Sequence, residues 1–431
     1  VAAAAETSGT FDILTYNIAG LPEPISGSNP STNTPLISSR LNNFSIVHLQ
    51  EDFAYHSELL SRSTHRYRSP FTGSVPFGSG LSTLSAFPLT DVQQHTWAAC
   101  WVGTGDCLTR KGFSATRIHL APGVDVDFYN LHSEAGDTEL DFVARRAGWE
   151  QLSAFMNSYS RGNPVVLAGD TNTRYTSPKD PARLLLQKNG LRDIWVELYR
   201  GGVPPAADGK SIECAFPVPA GSERQDCEQI DKIQYRGNRL VELVPTAFVN
   251  RNADFVDARG GPLSDHFPNQ AVFSWRISDT LRTGERIVGG RHSTYFNDAD
   301  TPGAFGARVP VVTSLTLRGG SRLDAIRYTL SDGTVVYHGG RGGTDQTLTL
   351  REGEGVERVE VCVGTRAPPG RTLGIFSMEV WTDLGRRVRV GSGTGECFSF
   401  TPPEGGRKWG MAGFQGWKGS EVDALGVIWG K

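Results

Sequence analysis

Acidic, amide and imidazole side chains recur at the ends of predicted strands in this 431-residue chain. In one case the apolar residues 165–168 stop at Gly169 and are followed by Asp170 and Asn172. Carboxylate and amide oxygens suit a hard divalent cation, and histidines can transfer protons near neutral pH. The set lacks the histidine and cysteine ligands expected of a zinc site. Its members are Asn17, Glu51, His132, Asp170, Asn172, Asp231, Asp265 and His266.

Each of these residues also has a purely structural explanation. Residues 169–172 are all turn formers and could be only a turn. Asn17 could cap a turn, Glu51 could start the helix that follows it, and His132 could be a structural histidine. The functional interpretation therefore requires a fold that brings these strand ends together.

The elements that would position these side chains alternate between strands and helices. A long helix with apolar residues at helical spacing is predicted at 137–159, and a hairpin at 112–120 and 124–131. Residues 81–87 and 92–97 are predicted to form a strand pair. Further strands are predicted at 11–18, 45–51, 165–168, 229–235, 240–249 and 269–275, and further helices at 36–44 and 181–188. This pattern predicts an α/β fold, a four-layer sandwich of two packed sheets with outer helices.

The chain changes character after a polar, irregular stretch. Beyond about residue 285 no segment has a convincing helical period, and short strands alternate with glycine-rich turns. We therefore predict a first domain at 9–278, a linker at 279–288 and an all-β domain at 289–431.

Composition limits the classes of binding partner and indicates the cellular compartment. A formal net charge of −3 and the lack of a basic cluster with interleaved aromatics argue against a nucleic-acid substrate. The chain starts at Val1 without an initiator methionine and has no apolar run of membrane-spanning length, which predicts a mature secreted, extracellular protein. Six cysteines in neighbouring pairs predict three disulfides: Cys100 with Cys107, Cys214 with Cys227, and Cys362 with Cys397.

Seven motifs occur in a fixed order and share residues with the set above. They are Thr15-Tyr16-Asn17-Ile18, Leu49-Gln50-Glu51, Ser79-Gly80-Leu81, Asn130-Leu131-His132, Gly169-Asp170-Thr171-Asn172, Ile230-Asp231-Lys232-Ile233 and Ser264-Asp265-His266-Phe267-Pro268. The series resembles the endonuclease/exonuclease/phosphatase superfamily over nearly all of residues 9–278.

The resemblance implies a metal ion and a general base. Glu51 and Asn17 would hold Mg²⁺ or another hard divalent cation, with Asp265 at the metal or phosphate edge. His266 would activate water, and Asp231 would orient and charge its imidazole.

It also implies residues that act on the phosphate. Asp170 and Asn172 would position the nucleophile and stabilise the pentacovalent phosphorus, and His132 would bond a non-bridging phosphate oxygen. Negative charge builds on the phosphoryl oxygens and the leaving alkoxide, and a cation with hydrogen-bond donors can stabilise both.

Two segments favour a lipid substrate within a superfamily that also cleaves nucleic acids and inositol phosphates. Residues 109–116 are similar to the Lys-Gly-Phe/Val segment of neutral sphingomyelinases and related phospholipase C enzymes. Lys111 would be a phosphate contact there, or alternatively a solvated hairpin charge. Residues 97–103, with Trp97 and Trp101, would form a disulfide-pinned loop at a lipid interface, or alternatively part of the core.

The all-β domain resembles jacalin-related lectins, which implies a β-prism. The resemblance lies in residues 312–326, in 332–344 and most specifically in 413–426. Gly419 and Asp423 match the carbohydrate loop of that family, and Gly289 begins a glycine-rich opening that matches only in part. The domain would bind carbohydrate, or alternatively serve only as a structural support.

Together these features predict a secreted, Mg²⁺-dependent phosphodiesterase of the sphingomyelinase/phospholipase C type. It would hydrolyse phospholipid or sphingolipid headgroups at a membrane surface and be targeted by a glycan-binding domain. The alternatives are an extracellular nuclease or, less favoured, a phosphomonoesterase of the same superfamily. A glycan-binding protein with a vestigial catalytic half is a further alternative, although no motif position is visibly degraded.

Overall fold

The computed structural model describes residues 6–23, 25–284, 286–291, 293–300, 305–365, 373–393, 395–403 and 408–431. Val1 and residues 2–5, which entered the prediction of secretion, lie outside the described residues, as does His292 of the glycine-rich opening. The chain forms two compact units. The first comprises Val1–Asn157, Pro164–Arg236 and Leu243–Trp275, and the second comprises Ser158–Asn163, Gly237–Glu242 and Arg276–Lys431.

Twelve strands and five α-helices are described between residues 8 and 277. The strands are β1 (Ser8–Asn17), β2 (Ile46–Gln50), β3 (Tyr67–Arg68), β4 (Ser82–Ser85), β5 (Leu89–Thr96), β6 (Gly112–Ala121), β7 (Val124–His132), β8 (Val165–Asp170), β9 (Arg192–Asp193), β10 (Asp231–Arg236), β11 (Val241–Asn250) and β12 (Asn269–Ile277). The helices are α1 (Pro30–Arg40), α2 (His56–Leu60), α3 (Glu139–Tyr159), α4 (Leu184–Asn189) and α5 (Ile194–Tyr199).

These strands form two six-stranded sheets that pack face to face. Their orders are β11-β12-β1-β2-β4-β3 and β5-β6-β7-β8-β10-β9. Phe11 of β1 meets Phe128 of β7 edge-on at 5.8 Å between ring centroids. Because side chains alternate between the faces of a strand, the positions in register with these rings also lie between the sheets. That alternation places Asn17, at the end of β1, and His132, at the end of β7, on the inner faces.

Helices cover the outer faces of both sheets. Ile37 of α1 packs with Leu14 and Val47, which belong to the outer faces of β1 and β2. On the other sheet, the Phe155 ring of α3 lies 5.2 Å from that of Phe113 on β6. The predicted four-layer α/β sandwich is therefore confirmed.

One strand pairing differs from the prediction. β4 and β5 are adjacent in sequence, yet β4 pairs with β2 and β3 in one sheet, whereas β5 pairs with β6 in the other. Sequence proximity suggested a hairpin, but the chain crosses from one sheet to the other between Ser85 and Leu89, so the predicted pair is wrong.

The second unit is built from three antiparallel sheets around one apolar core. Their orders are β13-β25-β24-β15 with β14 also on β25, β18-β17-β16-β19, and β22-β21-β20-β23. This arrangement confirms the predicted all-β prism. The strands are β13 (Leu281–Thr283), β14 (Val288–Gly289), β15 (Thr294–Asn297), β16 (Val312–Gly319), β17 (Leu323–Leu330), β18 (Val335–Gly339), β19 (Thr344–Thr349), β20 (Val356–Thr365), β21 (Leu373–Thr382), β22 (Arg387–Gly391), β23 (Glu396–Phe400), β24 (Gly410–Lys418) and β25 (Val422–Gly430).

Residues 279–288 were predicted to be a linker, but they contain one short strand and the first residue of another. Leu281–Thr283 forms β13, which pairs with β25 of the prism, and Val288 begins β14 on the same strand. The polar sequence hid these short strands because only Leu281 and Val288 are buried apolar residues among them. Glu285 of this segment lies outside the described residues.

The three predicted disulfides are all formed. Cys100–Cys107, Cys214–Cys227 and Cys362–Cys397 each join cysteines that are neighbours in sequence. Among the described residues, the helices are too short or too polar for any of them to cross a bilayer.

Candidate active site

The ends of five strands meet at one edge of the two packed sheets. β1 and β2 run parallel, and so do β7 and β8, with His132 opposite Asp170. β10 is antiparallel to β8 and begins with Asp231 opposite Asp170. The Asn17 amide nitrogen donates to Asp170 Oδ2 at 3.2 Å and so joins the two sheets at this edge.

Asn17 is the central hydrogen-bond donor of this cluster. Besides Asp170, its Nδ2 lies 3.1 Å from Glu51 Oε1 and 3.4 Å from His266 Nε2. Its Oδ1 accepts from the Ala19 N–H at 3.0 Å. The amide nitrogen therefore orients the two carboxylates, and the role of the Asn17 oxygen as a metal ligand stays a prediction.

Glu51 follows β2 in a conformation that side chains rarely adopt. Its φ is +58°, in the left-handed region, where a non-glycine residue is held only by its surroundings. Its carbonyl accepts from the Gly20 N–H at 3.1 Å, which fixes the turn. Burial raises the pKa of Glu51, while the Asn17 amide and the Lys111 charge partly offset that rise. A buried carboxylate with a raised pKa gains stability when it binds a cation.

His266 and Asp231 form an imidazole–carboxylate pair. His266 Nδ1 lies 3.0 Å from Asp231 Oδ2, and the Asp231 carbonyl accepts from Asn269 Nδ2 at 3.0 Å. Burial lowers the pKa of His266, but the carboxylates of Asp231 and Asp170 outweigh burial and hold the pKa well above its usual value. Because Asp231 engages Nδ1, the other ring nitrogen, Nε2, faces Asp170 and Asn17, with 3.8 Å between Nε2 and Asp170 Oδ2.

Asp170 and Asn172 hold each other in a turn at the end of β8. The Asn172 N–H donates to Asp170 Oδ1 at 3.1 Å, and Asn172 Nδ2 donates to the Ser133 carbonyl at 3.2 Å. Burial raises the pKa of Asp170 to about 6, against the lowering effect of His266. Residues 170–172 are thus both a turn and part of the cluster.

His132 is buried against Asp170. Its Nε2 lies 3.2 Å from Asp170 Oδ2, and its Nδ1 has no hydrogen-bond partner among the described residues. Burial, followed by the charges of Lys111 and His266, lowers its pKa well below the usual value. This shift favours the neutral imidazole, and the predicted contact of His132 with a phosphate oxygen stays a prediction.

Lys111 is buried at the start of β6 and is not a solvated hairpin charge. Its Nζ lies 2.7 Å from Asp106 Oδ1, inside the loop closed by Cys100 and Cys107, and 3.5 Å from the Ser133 carbonyl. Its positive charge lowers the pKa values of Glu51 and Asp170. The phosphate contact of Lys111 stays a prediction, but its position beside the cluster is established.

The two tryptophans before Lys111 differ in exposure. Trp97 is only 8% exposed, and its indole N–H donates to the His132 carbonyl at 2.8 Å, so it supports the end of β7. Trp101 is half-buried, and its main-chain N–H donates to Glu134 Oε1 at 2.6 Å. The lipid-interface interpretation is therefore wrong for Trp97, because its polar indole edge satisfies a strand end inside the protein.

Asp265 differs from its neighbours because its side chain is exposed. Ser264 Oγ lies 3.3 Å from Asp265 Oδ1, and the Asp265 charge raises the pKa of Glu51. Its predicted place at the metal or phosphate edge stays a prediction.

Sequence reasoning missed the residues that join the sheets beneath the site. Gln50 Nε2 donates to Asn130 Oδ1 at 2.7 Å, and Asn130 Nδ2 donates to the carbonyls of Leu49 and Ser82 at 3.0 and 3.1 Å. Asn130 on β7 thus bonds the backbones of β2 and β4 in the opposite sheet. A signal existed, because Gln50 and Asn130 stand beside Glu51 and His132 in the motifs.

Glu134 carries a testable pH dependence of stability. Burial raises its pKa to about 7, and its Oε2 has no partner among the described residues. The protonated Glu134 carboxyl contributes to the free energy of unfolding. This contribution is fully present below the usual carboxyl pKa and is lost as the pH rises from there through about 7. Glu134→Gln should therefore raise the unfolding temperature relative to wild type more at pH 8 than at pH 5 in calorimetry. Glu58→Gln on exposed α2 is the matched control, and an equal difference at both pH values would contradict the expectation.

A second candidate site lies in the prism unit, where Gly289, Gly419 and Asp423 come together. Gly289 has φ +114°, and a Cβ there would stand 2.3 Å from the Asp423 carbonyl oxygen. The Gly290 N–H donates to that oxygen at 2.9 Å, and Ser293 Oγ donates to Asp423 Oδ2 at 2.5 Å. A Cβ on Gly419 would lie 3.7 Å from the same carboxylate oxygen. The turn therefore brings Gly289 and Gly419 close to Asp423, whose carboxylate accepts from Ser293.

The donors at the edge of the sandwich fit a hard divalent cation. One ligand atom from each of Asp170, Asp231 and His266 lies within 4.8 Å of the others. Asp231 Oδ1 is buried without a hydrogen-bond partner among the described residues, and the pKa of the half-buried Glu51 carboxyl is raised. An oxygen-rich set with excess buried negative charge suits Mg²⁺ better than a softer metal.

Comparisons with known proteins agree with this geometry. Residues 34–199 match the model of Endonuclease/Exonuclease/phosphatase family 2, and residues 286–428 match that of the Jacalin-like lectin domain. The chain therefore carries a domain of the endonuclease/exonuclease/phosphatase type and a jacalin-like lectin domain. The family resemblance inferred from the motifs is thereby confirmed.

Known proteins are similar to each of the two matched regions. A sphingomyelinase of Mycobacterium tuberculosis is 35% identical over 283 residues, which cover 64% of this chain and 54% of that protein. The chain therefore spans about half the length of that relative. Horcolin of Hordeum vulgare is 32% identical over 121 residues, which cover 27% of this chain and 79% of horcolin. The crystal structure of sphingomyelinase C from Streptomyces griseocarneus is 18% identical, with a TM-score of 0.43, and covers 61% of this chain and 99% of that one.

Proposed function

We propose that the protein is a secreted, divalent-metal-dependent phosphodiesterase that hydrolyses sphingolipid or phospholipid headgroups. The observation that carries the proposal is the meeting of His266–Asp231, Asp170, Asn17 and Glu51 at one sheet edge. Similarity to sphingomyelinases supports a lipid rather than a nucleic-acid substrate. The three disulfides support folding in an oxidising, extracellular environment.

The chemistry follows from the placement of His266. Asp231 holds Nδ1, so Nε2 accepts the proton of a water molecule whose oxygen attacks phosphorus. His266 must be neutral before it accepts this proton, and Asp231 and Asp170 then stabilise the imidazolium that results. The bond from phosphorus to the lipid oxygen then breaks, the leaving alkoxide takes a proton from solvent water, and the imidazolium returns its proton to solvent. A phosphorylated headgroup and a lipid alcohol leave.

Glu51 would hold the cation, and Asn17 keeps that carboxylate in place. When bound, a divalent cation supplies positive charge that stabilises the phosphoryl oxygens and the leaving alkoxide. Asp170 and Asn172 would align the water and the phosphate, and buried Lys111 and His132 lie beside them.

A matched substrate panel tests the proposal. Sphingomyelin, phosphatidylcholine, phosphatidylinositol, a glycosylated inositol lipid and plasmid DNA are each incubated with the protein and Mg²⁺, with and without EDTA. We expect lipid headgroup release that EDTA abolishes. Cleavage of DNA without cleavage of any lipid would overturn the substrate assignment and establish a nuclease.

We further propose that the prism unit binds glycans through Gly289, Gly419 and Asp423 and concentrates the enzyme on glycan-bearing surfaces. A carboxylate and nearby N–H groups can bond the hydroxyls of a sugar. The Jacalin-like lectin match supports this part of the proposal.

Asp423→Ala is expected to abolish retention on the sugar column that best retains the wild type. The substitution removes the acceptor that Ser293 holds at 2.5 Å, while headgroup hydrolysis in detergent should be unchanged. Glu352→Gln, at an exposed position of the same unit, is the control. Failure of the wild type to bind any member of a glycan array would refute the lectin role.

A further inference from the structure

His338 of β18 is a buried histidine whose two ring nitrogens face opposite charges. Its ring stacks on that of Phe296 in β15, with 3.9 Å between the ring centroids. Nε2 lies 2.8 Å from Asp298 Oδ1, and Nδ1 lies 2.9 Å from Lys418 Nζ. Histidine is the side chain whose charge ordinarily changes between pH 5 and 8. A proton added to this ring would enter a site built around one carboxylate and one ammonium group.

The contact with Lys418 fixes the protonation state of His338. A charged lysine amine is a hydrogen-bond donor with no acceptor lone pair, so Nδ1 must accept and the ring proton must be on Nε2. That ring proton points at Asp298. A second proton, on Nδ1, would set an N–H against the Lys418 N–H groups and place two positive charges about 3 Å apart. Protonation of His338 therefore breaks the hydrogen bond with Lys418.

The groups around Asp298 do not compensate for this loss. Asp298 Oδ2 accepts from the Tyr328 hydroxyl at 2.5 Å and from the Phe414 main-chain N–H at 2.8 Å. Burial and the Asp298 charge raise the pKa of Tyr328, so its hydroxyl stays a donor. Burial lowers the pKa of Lys418, and the Asp298 charge offsets part of that effect. Asp298 can therefore stabilise a charged imidazole, but it cannot restore the hydrogen bond of Lys418.

Lys418 ties β18 to the end of β24 through its side chain. Besides the bond to His338, its Nζ donates to the Tyr337 carbonyl at 3.2 Å. Two of the three amine hydrogens are thus directed at consecutive residues of β18. Loss of the bond to His338 would leave only the weaker of these two contacts.

The end of β24 is also the strand end beside the candidate glycan site. In the main chain, Lys418 pairs with Thr294 of β15 and with Val422 of β25. These two residues are the sequence neighbours of Ser293 and Asp423, and Ser293 Oγ donates to Asp423 Oδ2 at 2.5 Å. Lys418 therefore lies between the segments that carry this hydroxyl and this carboxylate.

The segment after β18 borders the same glycan loop. A Cβ on Gly340 would lie 2.0 Å from the Ser420 carbonyl oxygen, so the two main chains are in direct contact. The Tyr337 hydroxyl donates to the Gly340 carbonyl and holds this segment against β18. A shift of β18 relative to β24 therefore reaches residues 419–423 directly.

We propose that protonation of His338 weakens glycan binding at residues 419–423, so that the prism unit releases its glycan in mildly acidic surroundings. The inference rests on the proposed glycan binding at Asp423. Neutral His338 holds the end of β24 through Lys418, and loss of that bond loosens the strand end that aligns the site. Because coupling between two binding events is reciprocal, a glycan that prefers the neutral ring must release a proton when it binds.

Calorimetric titration of the full chain tests this coupling. Methyl α-mannopyranoside and methyl α-galactopyranoside are titrated in turn into the wild type at pH 7.5 and at pH 5.5. For the sugar that binds, we expect the affinity to fall several-fold at the lower pH, by no more than about tenfold per pH unit, the limit for one linked proton. At pH 6 the binding heat should differ between phosphate and Bis-Tris buffers, because the two buffers take up the released proton with different heats.

Three variants assign the proton. His338→Asn presents an amide oxygen to Lys418 and cannot become charged, so its affinity should be equal at the two pH values. Lys418→Met lacks the link to β18 and should bind more weakly at pH 7.5, with a smaller change at pH 5.5. His292→Asn is the control, because that histidine precedes Ser293 in the sequence, and it should keep the pH dependence of the wild type. Circular dichroism and the unfolding temperature verify the fold of each variant.

The failures of the two proposals can be told apart. Binding of neither sugar, with no glycan bound on an array, would overturn the proposed glycan binding and this inference with it. Sugar binding that is independent of pH and of buffer, or full pH dependence in folded His338→Asn, would overturn the inference alone. Nitrogen-15 spectra of the wild-type histidine side chains need no variant, and a proton on Nδ1 of neutral His338 at pH 7.5 would refute the inference as well.

Discussion

His266→Ala is expected to lower kcat for headgroup hydrolysis by on the order of 10²- to 10⁴-fold, the usual contribution of a general base. The imidazole is the group in the cluster whose ring nitrogen faces both Asp170 and Asn17 while a carboxylate holds the other nitrogen. Alanine leaves the attacking water without a proton acceptor at that position. Steady-state hydrolysis of sphingomyelin in mixed micelles with Mg²⁺ measures the effect.

A matched histidine–aspartate pair supplies the control. His119 Nδ1 lies 2.5 Å from Asp125 Oδ1, and the two residues pair at the opposite end of β6 and β7 from His132. His119→Ala should leave kcat within about twofold, because His119 lies at the other end of β6 and β7 from the cluster. Sugar retention should be unchanged in both variants. Full activity of folded His266→Ala would refute its role as the base.

Glu51→Gln is expected to remove the response of the protein to Mg²⁺. Glutamine keeps an oxygen for the Asn17 amide at its present position but removes the negative charge. The loss of several kcal/mol of charge stabilisation corresponds to a fall in kcat of at least about a hundredfold. The same change should stabilise the metal-free protein, because burial already raises the pKa of this carboxyl and disfavours its charge.

A thermal measurement tests this prediction without activity. In MgCl₂ the unfolding temperature of the wild type should rise above its value in EDTA, because a ligand that binds only the folded state stabilises it. Glu51→Gln should show little rise and should unfold at or above the wild-type temperature in EDTA. Glu58→Gln on exposed α2 is the control and should behave as wild type. An undiminished Mg²⁺ response in Glu51→Gln would contradict the assignment of Glu51 as the metal ligand.

The sequence by itself determined the features that depend on neighbouring residues. Residue patterns predicted strands at 11–18 and 124–131, which the structure shows as β1 and β7, and the grouping of the cysteines as neighbouring pairs predicted the disulfides. Such features are local, because side-chain period and short loop closure depend on a few consecutive residues. The seven motifs and their order along the chain also predicted the superfamily and the set of candidate site residues.

The tertiary structure alone decided which strand ends meet and what surrounds them. Asn17 and Asp170 are 153 positions apart, and only the packing of two sheets brings their side chains to 3.2 Å. The fold also buries Trp97 against the His132 carbonyl and Lys111 near the Ser133 carbonyl, 35 and 22 positions away along the chain, and no local pattern specifies these contacts. The turn at residues 170–172 belongs to the candidate active site because long-range packing, and not its own sequence, places Asn17 beside it.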